Sequence, residues 1–157
     1  MTIDPSPARV VADADVLAAD LLVDGAARRS LDELRSHSWT SLVASDALLA
    51  EATDIITAVA SEELAAGWHN RINQWREPVE HPEGDHPAVA SAYRGGAMHV
   101  ISFESSLTTV GAGTSLQETF PVSIREPDAF AAIFNPERLY PTVVGGDYPG
   151  PDRDPRS

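Results

Sequence analysis

The sequence predicts an α/β fold of three layers, in which helices cover both faces of a central, mainly parallel sheet of four to five strands. Short apolar runs alternate along the chain with longer segments whose apolar residues recur at helical spacing. Such alternation is typical of a parallel sheet, because each crossover between parallel strands needs a helix. The 157 residues, 43% of them hydrophobic, show no internal repeat. We therefore expect one domain over residues 1–134 and a proline- and glycine-rich extension over 135–157.

The first third of the chain predicts strand, helix, helix and strand in that order. Each apolar run is short and ends at a polar residue or at glycine, as Asp24-Gly25 illustrates. The predicted elements are a strand over Arg9–Asp13, a helix over Asp15–Val23, a helix over Ser30–His37 and a strand over Trp39–Val43 that ends at Ser45.

Two longer amphipathic helices should follow. Ser45 or Asp46 can cap the first helix, in which the apolar residues from Leu48 to Val59 share one face. Ser61 can cap the second helix, which runs to Trp75. Charged residues and prolines over Glu77–Gly84 indicate a loop.

The remaining elements return to the same alternation. Asp85 is a good N-cap with Pro87 in the first turn, and Gly95-Gly96 should end this helix. Further along we expect a strand over Met98–Phe103, no assignable element over Ser105–Phe120, a strand over Pro121–Ile124, a helix over Pro127–Phe134 and an extended tail from Asn135. Leu139, Tyr140, Val143 and Val144 could dock this tail, while residues 152–157 should be loose.

Composition points to a protein of a salt-rich cytoplasm. The 24 acidic residues outnumber the 11 basic ones, giving a formal net charge of -13, and every basic residue is arginine. Such an acidic surface suits molar salt, where the Debye length falls to about 3 Å, so net charge says little about affinity for a polyanion. The absence of cysteine excludes disulfides and thiolate metal sites. With no membrane span or signal segment, we expect a cytoplasmic, halophilic protein.

Four acidic residues are predicted to meet at one edge of the sheet. Asp13 and Glu104 follow strands, and Asp85 begins the helix that leads into the strand before Glu104. At about 100° per residue, Glu51 flanks the buried face of its helix, whereas Asp54 points to solvent. Converging carboxylates repel one another unless they bind a cation, and a set of oxygen ligands favours Mg²⁺ or Mn²⁺.

These segments, in this order, resemble the PIN-domain ribonucleases, and the composition suggests a halophilic archaeal member. The resemblance rests on Val10–Leu17, Ser45–Ile56, Asp85–Glu104 and Phe120–Phe134. It implies an endoribonuclease that uses Mg²⁺ or Mn²⁺, with Asp13, Glu51, Asp85 and Glu104 as catalytic metal ligands and with Asp15 and Ser102 in support. It also implies an RNA substrate and, for members of toxin–antitoxin pairs, an antitoxin or a second copy as partner.

Two departures from the family pattern leave alternatives open. Asp15 stands where the family usually has Asn, and Glu104 stands where it usually has Asp. A catalytically weakened PIN-like module that binds RNA or a protein is therefore the main alternative. A haloacid-dehalogenase-like phosphatase, suggested by Asp13–Leu17 and by Gly84-Asp85, is a lesser one, since the chain has no lysine for the phosphoryl group.

Arginine and histidine side chains near the predicted site have secondary predicted roles. Arg28, Arg29 and Arg35 could contact phosphates, although acids such as Asp32 offer them structural partners. We expect His86 to be solvated rather than to bind a metal, since the five histidines show no metal-binding spacing.

Overall fold

A computed structural model describes residues 4–104 and 122–155 of the chain. It contains one parallel sheet of five strands in the order β3-β2-β1-β4-β5. The strands are β1 (Ser6–Ala12), β2 (Ser41–Ser45), β3 (Glu77–Val79), β4 (Ala97–Ile101) and β5 (Ser123–Arg125). Because β1 is central, its residues Val10, Val11 and Ala12 are fully buried.

Helices flank this sheet, which confirms the predicted α/β/α class. They are α1 (Ala14–Leu22), α2 (Ala26–Arg35), α3 (Asp46–Val59), α4 (Glu62–Trp75), α5 (Pro87–Gly95), α6 (Pro127–Ile133) and α7 (Pro136–Val143). Helix α5 packs on β1, β2 and β4, whereas α1 packs against α2 and α3. In the part of the chain that the structure describes, no helix has the length and apolar character needed to cross a membrane.

Several predicted helix ends are confirmed by their capping contacts. The side chains of Ser45 and Ser61 accept hydrogen bonds from the backbone N–H groups of Leu48 and Leu64, each at 3.1 Å. Gly96 ends α5 in the left-handed conformation (φ 70°), which glycine adopts without steric cost.

The loop predicted over Glu77–Gly84 begins instead with a short edge strand. Three residues with a central proline carry too weak a signal to predict a strand, and contacts from elsewhere hold β3 in place. Arg9 forms an ion pair with Glu77, and Arg76 donates to the carbonyl of Ala44 at 2.9 Å.

The prediction of an extended tail from Asn135 is also wrong. Asn135 caps α7 by accepting a hydrogen bond from the N–H of Arg138 at 3.1 Å, and Pro136 occupies the first turn, where its missing N–H costs nothing. Tyr140 packs edge-on against Trp39 with ring centroids 5.5 Å apart, so it docks the extension as expected. The sequence predicts that Val144 docks the extension too, but its side chain is 51% exposed.

Part of the predicted loose terminus is anchored as well. The backbone N–H groups of Asp152 and Arg153 donate to the carbonyl of Ser36 at 3.0 and 3.2 Å, and the carboxylate of Asp152 accepts from Ser38. The predicted strand residue Pro121 and the unassigned stretch Ser105–Phe120 lie outside the described residues.

Candidate metal centre

Asp13 lies where the central strand passes into α1. It is the N-cap of that helix and is only 5% exposed. Its Oδ1 accepts the N–H of Ala14 at 2.8 Å, and its Oδ2 accepts the hydroxyl hydrogen of Ser102 at 2.8 Å. These two bonds fix the carboxylate at the carboxyl end of β1, which is where ligands bind in open parallel sheets.

Ser102 connects Asp13 to Glu104. It follows β4, is fully buried, and accepts the backbone N–H of Glu104 at 3.0 Å while it donates to Asp13. Ser102 and Glu104 are both predicted site residues, and the structure brings them beside Asp13 through this one hydroxyl.

His86 completes a group of three potential metal ligands. Its Nδ1 accepts the N–H of Ala88 at 3.3 Å, so Nε2 carries the ring hydrogen of the neutral imidazole and donates to Oε2 of Glu104 at 3.0 Å. Single ligand atoms of Asp13, His86 and Glu104 all lie within 4.8 Å of one another. The expectation that His86 is solvated rather than a metal ligand stays a prediction, since its side chain is partly exposed and also contacts Glu104.

The position of Pro87 decides which residue caps α5. Proline prefers the first helical position, and the N-cap is the residue immediately before it. Helix α5 begins at Pro87, so the cap is His86 and not Asp85. Applied to the sequence, this rule predicts His86 rather than Asp85 as the cap.

Asp15 contributes a further carboxylate near this group. Burial raises its pKa from 3.8 to about 6, and repulsion from Asp13 and Glu104 acts in the same direction. Backbone N–H groups of Val16 and Phe103 oppose the rise. Its Oδ1 is buried without a hydrogen-bond partner. None of the described groups that act on the pKa of Asp15 is a positive charge that would compensate its ionised form.

The other two predicted acidic ligands lie outside this group. Glu51 on α3 and Asp85 before α5 are both exposed. Neither belongs to a group of three or more described side chains whose ligand atoms all lie within 4.8 Å of one another. The structure thus brings together Asp13 and Glu104 of the predicted set.

The three arginines considered as phosphate contacts are not part of the group either. Arg28 donates to the carbonyls of Asp20 and Leu21, both at 3.1 Å. Arg35 forms ion pairs with Asp20 and Asp32, and Arg29 is exposed on α2. Arg28 and Arg35 hold α2 against the end of α1.

Fold and side chains define an α/β protein with two carboxylates and an imidazole gathered where the central strands end. The chain belongs to a family of unknown function, DUF7384, whose model matches residues 4–156. Neither the curated proteins nor the solved structures contain a match to the chain.

Proposed function

We propose that the chain is a metal-dependent endoribonuclease of the PIN type, which hydrolyses RNA phosphodiester bonds at Asp13, His86 and Glu104 with Mg²⁺ or Mn²⁺. The observation that carries this proposal is the approach of these three ligand atoms to within 4.8 Å of one another. Support comes from the parallel sheet, whose carboxyl edge is the usual ligand site, and from the order of the motifs along the chain.

The donor set is chemically suited to a divalent cation. Carboxylates bind Mg²⁺ and Mn²⁺ alike, whereas an imidazole nitrogen favours the transition metal. The uncompensated carboxylate of Asp15 is a second favourable feature, because a cation would offset its repulsion from Asp13 and Glu104. We therefore expect Mn²⁺ to bind more tightly than Mg²⁺.

The residues of this site would mainly hold the metal-binding side chains in place and orient them. Ser102 and the N–H of Ala14 keep the Asp13 carboxylate in one orientation. Nε2 of His86 would exchange its hydrogen bond to Glu104 for the ion. A bound ion would lower the pKa of a water ligand and neutralise charge that develops on the phosphodiester. The orientation of Asp13 is set by buried groups, so it does not depend on substrate.

Cleavage of a fluorescently labelled single-stranded RNA, measured with and without Mn²⁺ in high-salt buffer, tests the proposal. We expect wild-type protein and the matched control Asp54→Asn, an exposed acid on α3, to cleave equally. Asp13→Asn should abolish cleavage, because Asp13 is the most buried ligand. Equal cleavage by Asp13→Asn and wild type would refute the proposal.

Glu51→Gln and Asp85→Asn decide whether the exposed acids take part. If Asp13, His86 and Glu104 suffice to bind the ion, both variants retain activity. Loss of activity in either variant would mean that this acid is a metal ligand, as the resemblance to the PIN-domain ribonucleases implies.

The exposure of Glu51 and Asp85 favours one second candidate, a module that binds RNA or a protein partner without cleaving. Such a module would bind the labelled RNA, or assemble with an antitoxin or a second copy, and would leave the RNA intact at every Mn²⁺ concentration. Metal-dependent cleavage that Asp13→Asn removes would exclude it.

A further inference from the structure

A cavity of about 620 Å³ lies where α1, α2 and α4 meet the anchored C-terminal segment. Trp75 in its wall ends α4 two residues before β3 begins, and Asp20 lies near the end of α1. The cavity is therefore at the edge where strands start, whereas Asp13 and Glu104 follow the ends of β1 and β4. Its volume is within the range of about 300–1,000 Å³ that small-molecule sites occupy.

Four of the 11 arginines of this acidic chain line the cavity. Two of these arginines already form contacts with other groups of the cavity wall. Arg35 is paired with Asp20 and Asp32 and lies over the ring of Trp75, 5.1 Å from its centroid. Arg28 is bonded to backbone carbonyls of α1. These contacts preorganise the wall and leave other arginines to meet a ligand.

Arg71 and Arg153 are the arginines available for that role. Both are exposed, and neither forms an ion pair with a carboxylate of the described residues, although Arg153 attracts the nearby Asp152. Arg153 is held at the cavity because its backbone N–H donates to Ser36 at 3.2 Å. A guanidinium presents paired donors that match the oxygens of a phosphate.

Apolar groups of α4 form one part of the wall. Trp68 is 4% exposed and Ile72 is 4% exposed, and the half-buried Trp75 lies beside them on α4. A ligand with a planar, partly apolar ring can pack against such a surface. The exposed Asp24 and Asp154 also line the cavity and would repel a highly charged polyphosphate.

We propose that this cavity binds a nucleoside monophosphate, with Arg71 and Arg153 on the phosphate and the tryptophan wall against the base and sugar. The proposal concerns a second site and does not depend on the proposed nuclease activity.

Intrinsic tryptophan fluorescence tests the proposal, because Trp68 and Trp75 are two of only three tryptophans. The probe is AMP, titrated into metal-free protein at the lowest salt at which it stays folded, with calorimetry as a second readout. We expect saturable binding that weakens about tenfold in Arg71→Gln and in Arg153→Gln. Arg94→Gln, an exposed arginine on α5 outside the cavity, should bind as wild type does.

Adenosine and inorganic phosphate are the comparison ligands, and both should bind more weakly than AMP. Circular dichroism checks that each variant is folded. Adenosine binding as tight as that of AMP would overturn the phosphate assignment. No binding by either readout, or equal binding by Arg71→Gln, Arg153→Gln and wild type, would overturn the site. Asp13→Asn should bind AMP normally, and loss of binding in that variant would place AMP at the metal centre instead.

Discussion

Replacing Asp15 by Asn should stabilise the metal-free protein at neutral pH. Asp15 is half-buried, its Oδ1 has no hydrogen-bond partner, and Asp13 and Glu104 repel its charge. Asn keeps the size and one acceptor oxygen of the side chain but removes the charge.

The size of the effect follows from the pKa of Asp15, which is raised from 3.8 to about 6. At about 1.36 kcal/mol per pKa unit, full burial would give an upper limit of about 3 kcal/mol. The side chain is only half-buried, so solvent screening reduces the expected gain to about 1–1.5 kcal/mol. The folded pKa exceeds the unfolded one, so this penalty is absent below pH 3.8, grows as pH rises, and is complete above about pH 6.

Urea unfolding of wild type and Asp15→Asn at pH 4 and pH 8, with a chelator present, measures this difference. Asp54→Asn, at an exposed position on α3, is the matched control and should change stability little at either pH. We expect Asp15→Asn to gain stability at pH 8 and almost none at pH 4. Added Mn²⁺ should stabilise wild type more than the variant. An equal gain at both pH values, or no gain at pH 8, would refute the reasoning.

Three further predictions concern the site and the core. Ser102→Ala removes the hydroxyl that Asp13 and Glu104 share. Calorimetry should then show about tenfold weaker Mn²⁺ binding, and the free energy of unfolding should fall by about 1–3 kcal/mol. Unchanged Mn²⁺ binding would contradict this role of Ser102. His86→Gln should weaken Mn²⁺ binding by at least tenfold and Mg²⁺ binding much less, and an equal loss for both ions would argue against nitrogen coordination. Gly95→Ala places a Cβ in steric conflict with Cγ1 of Val43 and should cost about 1–3 kcal/mol in thermal unfolding. The control Gly67→Ala meets only Arg71 at 3.6 Å and should be neutral or stabilising by up to about 1 kcal/mol, so equal effects of the two substitutions would contradict the packing argument.

The sequence predicted the sheet and most helices because apolar periodicity and capping residues are local signals. Ser45 and Ser61 cap their helices as expected, and Asp13 and Glu104 meet because strand ends in a parallel sheet share an edge. Such features need no knowledge of packing between distant segments.

Other features depend on contacts that local patterns do not encode. The angle of Glu51 about its helix gives its direction but not its distance from β1, and the side chain is exposed. Strand β3 is held by the ion pair of Glu77 with Arg9 of β1 and by the bond from the adjacent Arg76 to Ala44 of β2. The N-cap of α5 is His86, one residue after the predicted cap Asp85. This shift of one residue places the imidazole, and not the Asp85 carboxylate, against Glu104.

The most direct measurement is anomalous diffraction from crystals of the protein soaked in Mn²⁺ at high salt. A single strong peak within coordination distance of Asp13, His86 and Glu104 is the predicted result. A peak on Glu51 or Asp85 without these residues, or no peak at saturating Mn²⁺, would contradict the proposed centre.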